Sequence, residues 1–348
     1  MQRLFGRTLA LTGALGLVLL LASSAARAQY TLTKLDSNLA GKAKHQDPLL
    51  INGWGLAYSP GQAFWVSDEG SGWSTLYNAT GVPQSLQVVI PPATSGVGSP
   101  TGMVYNASSQ FEVAGKSGEP WPSIFLFATL DGTIQGWTSL SNPKSAIIAV
   151  NNSGSGAAYT GLAITSKPSG NFIFATDVNN NKVDIYDGTF TFVTSFTDTT
   201  LPAGYAPFGI QDIGGQLYVA FAPVSGAANG VVDIYTEAGV FVKRFAKGKP
   251  LNQPWGFALA PADFGTLSNT LLVSNNTNSG TINGFSLSTG KLVGTITGTS
   301  GKNITIDQLW GIEFGGGSAN NGKTNHLFFT AGPNNNVNGT FGVIAVAK

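Results

Sequence analysis

Three oxygen-bearing side chains, Asp68, Asp177 and Asn275, each close a short apolar run, and hard oxygen donors of this kind suit Ca²⁺ or another divalent cation. Asp and Asn also begin turns by bonding their own backbone, which is the competing role for all three. A second set is largely aromatic. Trp54, Phe208, Trp255 and Trp310, together with Thr101 and Thr160, each stand immediately before a glycine, and Asn52, Gln253 and Gln308 stand two residues before the three tryptophans. Rings that stack on sugar faces, with amides fixing the orientation, would make this set a site for a glycan or another polar ligand with apolar faces. The alternative is that the large side chains plug a central channel. For proton transfer the chain offers two histidines. His45, two residues before Asp47, is the candidate base, while His326 begins a strand at the opposite end. No complete catalytic set is visible: there is no cysteine and no Gly-x-Ser-x-Gly elbow, so the catalytic residues are unknown from sequence.

The elements that would position these groups announce themselves as a repeat. Gly55, Gly102, Gly161, Gly209, Gly256 and Gly311 each open a unit of apolar strand, turn and second apolar strand, at separations of 47, 59, 48, 47 and 55 residues. That period fits four-stranded propeller blades with loop insertions, and six units make six blades. The sixth unit reaches its third strand at Thr340 to Val346 and then stops, whereas Tyr30 to Leu35 has strand character and no partner. The fold expected is therefore all-β, a six-bladed β-propeller closed by the N-terminal strand completing the last blade, which removes an exposed sheet edge.

Composition sets the surroundings. Residues 1 to 28 read as a secretory signal: Arg3 and Arg7 form the charged start, Leu9 to Leu21 the apolar stretch, and Ala26-Arg27-Ala28 the cleavage site. The mature chain, 29–348, is then a single propeller domain, exported to the periplasm or beyond, with no transmembrane anchor after cleavage and expected to be a monomer. Loss of three arginines leaves 15 basic against 17 acidic residues, and the densest basic stretch, Lys243 to Lys249, holds four, so nucleic acid is excluded as a partner. Without disulfides, stability must come from a large core.

The segment Asp177-Val178-Asn179-Asn180-Asn181-Lys182, running into Val183-Asp184-Ile185-Tyr186, resembles the NHL-repeat consensus, and Gln253-Pro254-Trp255-Gly256-Phe257-Ala258 resembles the start of such repeats. Pro207-Phe208-Gly209-Ile210 and Pro100-Thr101-Gly102-Met103 match that start too. The chain also resembles a family of uncharacterised exported bacterial propellers, some with PEP-type C-terminal sorting tails, although no such tail is present here. Relatives implied by the resemblance include metal-dependent hydrolases of the gluconolactonase type, virginiamycin B lyase, and non-catalytic scaffolds. The gluconolactonase type carries an early Glu where this chain has Asn52-Gly53-Trp54-Gly55. The expectation is a ligand-binding or interaction module for a glycan, cell-envelope component or protein. A metal-dependent lactonase or lyase is the alternative.

Overall fold

The structure is a computed structural model; it describes residues 29–347 except Lys116, Pro168 and Ser169, so the signal-like residues lie outside the described residues. Six small antiparallel sheets surround one axis as blades. Their inner strands are Gly53–Tyr58, Pro100–Tyr105, Tyr159–Lys167, Tyr205–Asp212, Pro254–Leu259 and Leu309–Phe314. The second and third strands are buried on both faces; in blade two, all of Phe125–Thr129 and Thr133–Trp137 are buried. Outer strands face water, and in blade three Phe192–Phe196 is exposed along most of its length. The long interval between Gly102 and Gly161 is explained by a small extra hairpin, Glu112–Ala114 against Pro120–Pro122.

The last blade is closed as the repeat arithmetic requires. Tyr30–Ser37 pairs antiparallel with Thr340–Val346, Tyr30 opposite Val346 and Ser37 opposite Thr340. Side chains pin this strand at both ends. Tyr30 donates from its hydroxyl to the Phe264 carbonyl at 2.8 Å, and Ser37 donates to the Gly339 carbonyl at 2.9 Å.

The core is divided into layers, one at each junction between neighbouring blades. Leu35, Phe64, Phe328 and Phe341 fill the junction of blades six and one, and Trp65, Leu76, Phe125 and Trp137 that of blades one and two. Burying such side chains supplies roughly 1.5 to 3 kcal/mol each, so a ring of six layers replaces the disulfides the chain lacks.

The blade glycines are required where the inner strands meet. A Cβ on Gly256 would lie 2.7 Å from the Trp310 carbonyl oxygen, and one on Gly311 2.7 Å from that of Trp54. Any side chain at these positions would push two blades apart, which is why the repeat is legible as glycine. Hydroxyls bridge the same junctions: Thr101 donates to the Tyr159 carbonyl at 2.6 Å, Thr160 to that of Phe208 at 2.8 Å, and Thr330 to that of Trp54 at 2.6 Å.

Candidate functional site: the two ends of the central channel

Residues immediately before the blade glycines converge on the axis, as their register demands, but they pack on one another. Trp54 and Trp310 stack with centroids 3.6 Å apart and planes 18° from parallel. Trp255 stands edge-on to both, at 6.0 and 5.7 Å, and Phe208 is edge-on to Trp54 and Trp310. The three indoles are 5, 8 and 2% exposed for Trp54, Trp255 and Trp310. Two of them spend their N–H groups inside the protein: Trp255 donates to the Thr160 carbonyl at 3.0 Å and Trp310 to Asn52 Oδ1 at 2.9 Å. The Trp54 N–H is buried with no partner among the described residues.

The aromatic set expected to stack on sugars is therefore a plug, because faces that stack on each other are closed to a ligand. Thr101 and Thr160 belong to the inter-blade hydroxyl bridges. Asn52, Gln253 and Gln308 hold left-handed backbone, with φ of 50, 52 and 49°, where the chain turns into its inner strand. Their amides are used locally. Asn52 donates to Glu69 at 2.7 Å, Gln253 to the carbonyls of Pro223 and Ala227, and Gln308 to Asn278 Oδ1 at 2.7 Å.

Asp68, Asp177 and Asn275 occupy equivalent places at the ends of second strands in blades one, three and five, and each serves its own blade. Asp177 accepts from the Ala158 N–H at 3.0 Å and from the Asn180 amide at 2.7 Å, so the NHL-like signature is a turn lock. Lys182 completes that signature by pairing with Asp184 at 2.9 Å. Asn275 accepts from the Asn252 N–H at 3.0 Å and donates to the Pro250 carbonyl at 2.8 Å. Asp68 accepts from Thr75 at 2.7 Å, and burial pushes its carboxyl well above the usual range, towards the neutral form that binds cations poorly. The three do not form one ligand set, and among the described residues no three acidic or histidine side chains are grouped to hold a metal ion. The donor set thus does not fit the expected divalent cation.

His45 is equally displaced from the axis. It lies in a two-residue strand, His45–Gln46, added in parallel to the outermost strand of blade six. The register that places it there also puts Asp47 against that strand, where Asp47 accepts from the Tyr77 hydroxyl at 3.0 Å.

The open space is at the other end of the channel. Beyond the glycine ring the inner strands line a partly open cavity of about 430 Å³, whose lining includes Trp255. Leu56, Met103, Leu162, Ile210 and Ile312, each next after a blade glycine, form apolar walls. Two residues after the glycines the strands carry Ala57, Val104, Ala163, Gln211, Ala258 and Glu313. Four of those six positions are small or apolar; blade six supplies a carboxylate.

Glu313 keeps some surface towards the cavity but is otherwise enclosed by protein, and that loss of water raises its carboxyl to about 7. The Phe314 backbone N–H, which bonds the carboxyl, opposes the rise only in part. Tyr58, in the same lining, is pushed up to about 12, chiefly by burial and secondarily by the negative charge of Glu313. Tyr105, Gln211 and Asp212 complete the polar lining, which contains no Lys, Arg or His among the described residues. Sequence reading missed this end. The available signal was a single acidic residue in a register that is otherwise mostly small and apolar.

No family model matches the chain. Its curated relatives are uncharacterised proteins of Acanthamoeba polyphaga mimivirus: R640 is 32% identical over 286 residues, 77% of this chain, and R648 is 29% identical over 336 residues, 90% of it. The chain spans about half the length of R640, 52%, and 80% of R648. Solved structures share the fold. The aldose sugar dehydrogenase of Escherichia coli matches with a TM-score of 0.55 and 11% identity over 92% of this chain and 100% of that one. The gluconolactonase of Xanthomonas campestris matches at 0.54 and 13% over 85% and 86%, and a virginiamycin B lyase from Staphylococcus aureus at 0.53 and 15% over 92% and 100%. At such identities the likeness is one of fold.

Proposed function

We propose that this propeller binds a small molecule in the cavity at the Tyr58, Tyr105 and Glu313 end of its channel. The observation that carries the reading is Glu313, a largely dehydrated carboxyl in a partly open, mostly apolar cavity about the size of a small-ligand site. A charge left there without a purpose lowers stability, and perturbed carboxyls in concave sites are markers of function. The opposite mouth supports a glycan site less well, because its indoles pack on one another.

The test is a thermal-shift screen of soluble organic compounds against residues 29–348, with each hit measured by calorimetry on the wild type and on Glu313→Gln. Native-state ligands raise the melting temperature according to their affinity. Hits that lose tenfold or more affinity in the variant place the ligand at Glu313; hits that bind both proteins equally remove the site from this cavity.

A catalytic reading is favoured by one feature of the same group. A carboxyl near 7 can both take up and release a proton at neutral pH, which suits general acid-base work on a bound substrate. Turnover on lactone or lyase substrates that disappears in Glu313→Gln distinguishes an enzyme from a binding module. The signal-like start supports function outside the cytoplasm, and an N-terminus at Gln29 in protein recovered after export checks that part.

A further inference from the structure

We infer that the occupant of the channel cavity is an organic cation, a protonated amine or quaternary ammonium on a compact apolar body; this rests on the cavity being the binding site. Polarity of one sign carries the argument. Among the described residues the lining offers the carboxylate of Glu313, the hydroxyls of Tyr58 and Tyr105 and the Gln211 amide, but no basic side chain. Salt bridges elsewhere in the protein match buried carboxylates with cations, as Arg244 does for Asp233 at 3.0 Å and Lys182 for Asp184. Among the described residues Glu313 has no such bridge. Its hydrogen-bond donor is the Phe314 backbone N–H, which is neutral.

An ionised carboxylate in an apolar enclosure requires a positive partner, and a ligand can supply it. A cation does so with its charge, its apolar body meets the walls of Leu56, Leu162 and Ile312, and the two tyrosine rings suit an ammonium group. An anionic ligand would instead add a like charge next to Glu313. A neutral one would leave the carboxylate unpaired above its titration.

Choline and 3,3-dimethylbutan-1-ol have the same shape and hydroxyl and differ in the positive charge, so they separate charge from fit. Each is titrated by calorimetry into residues 29–348 at pH 8, with benzyltrimethylammonium as a larger cation. At least one cation is expected to bind, with choline at least tenfold tighter than its neutral isostere or, where choline is too small, with benzyltrimethylammonium alone giving heat. In the wild type, cation affinity should also rise severalfold from pH 6 to pH 8 as Glu313 ionises, with Tyr58 beside it and Tyr105 and Asp212 elsewhere in the lining as the other titratable groups. Glu313→Gln, checked for an unchanged circular dichroism spectrum, should abolish both the preference and the pH dependence. Equal binding of choline and the alcohol overturns the cation assignment and leaves the cavity as a site. No binding of any of the three overturns the assignment, whereas a non-cationic hit from the screen that still depends on Glu313 preserves the cavity reading.

Discussion

The two ends of the channel are built from the same six strands and the same glycine ring, yet one is filled and the other open. Before each glycine stands a residue whose side chain reaches the axis, and four large aromatics there leave no room. Two residues after each glycine the side chains are mostly small, and the space is left to Glu313, Gln211 and the flanking tyrosines. The comparison teaches that a propeller can brace itself at one mouth and present chemistry at the other. Rigidity at the plug holds the strands on which the cavity depends.

The contrast is broken most severely by removing the brace. Trp310→Ala deletes the stacking partner of Trp54 and the donor to Asn52, and should cost about 3 to 5 kcal/mol in chemical denaturation, comparable with other large-to-small changes in cores. A loss below about 1 kcal/mol would mean that the indoles are loosely held and open to ligands after all.

At the cavity end the expected sign is reversed. Glu313 is raised from its ordinary value of 4.5 to about 7, so between those limits the folded state holds the proton more tightly than the unfolded chain. Stability from this group is therefore fullest below about pH 4.5 and falls as pH rises towards 7. Glu313→Gln, which cannot ionise, should be more stable than wild type by about 2 to 3 kcal/mol at pH 8 and equal to it at pH 4. Denaturation of both proteins across that range reads the difference, and a variant less stable than wild type at pH 8 would show that the carboxylate is already compensated.

The smallest effect sharpens the plug itself. Trp54 buries an N–H without a partner, whereas Trp310 gives its own to Asn52. Trp54→Phe removes an unpaired donor and should stay within about 1 kcal/mol of wild type, while Trp310→Phe strands Asn52 Oδ1 and should cost about 1 to 2 kcal/mol more. Equal losses in the two variants would mean that the partner of Trp310 contributes nothing.

Much of the ring was legible because its most demanding positions admit one residue type. Glycine at each inner-strand crossing is fixed by backbone contact, so Gly55 through Gly311 revealed the blade number and the missing fourth strand of blade six. The direction in which each end is open was not legible. Trp54, Trp255 and Trp310 look the same in sequence whether they rim a mouth or fill it, since the distance across the axis decides, and six strands set that distance jointly. Asp68, Asp177 and Asn275 have ligand chemistry and turn chemistry alike, and their own loops claim them. Glu313 was marked only as the one acid in a register that is otherwise mostly small and apolar, and its loss of water could not be read from the strand Leu309–Phe314 alone.

Closure of the last blade by the first strand also makes ring completion a late, non-local step of folding. Tyr30 pairs with Val346, so closing the ring joins two strands separated in sequence by all the other strands of the blades. Until Thr340–Val346 is in place, an arc of blades keeps the Tyr30–Ser37 strand unpaired at its edge. Contacts of such sequence separation slow folding, which leaves time for a chaperone or a second copy of the chain to occupy that edge.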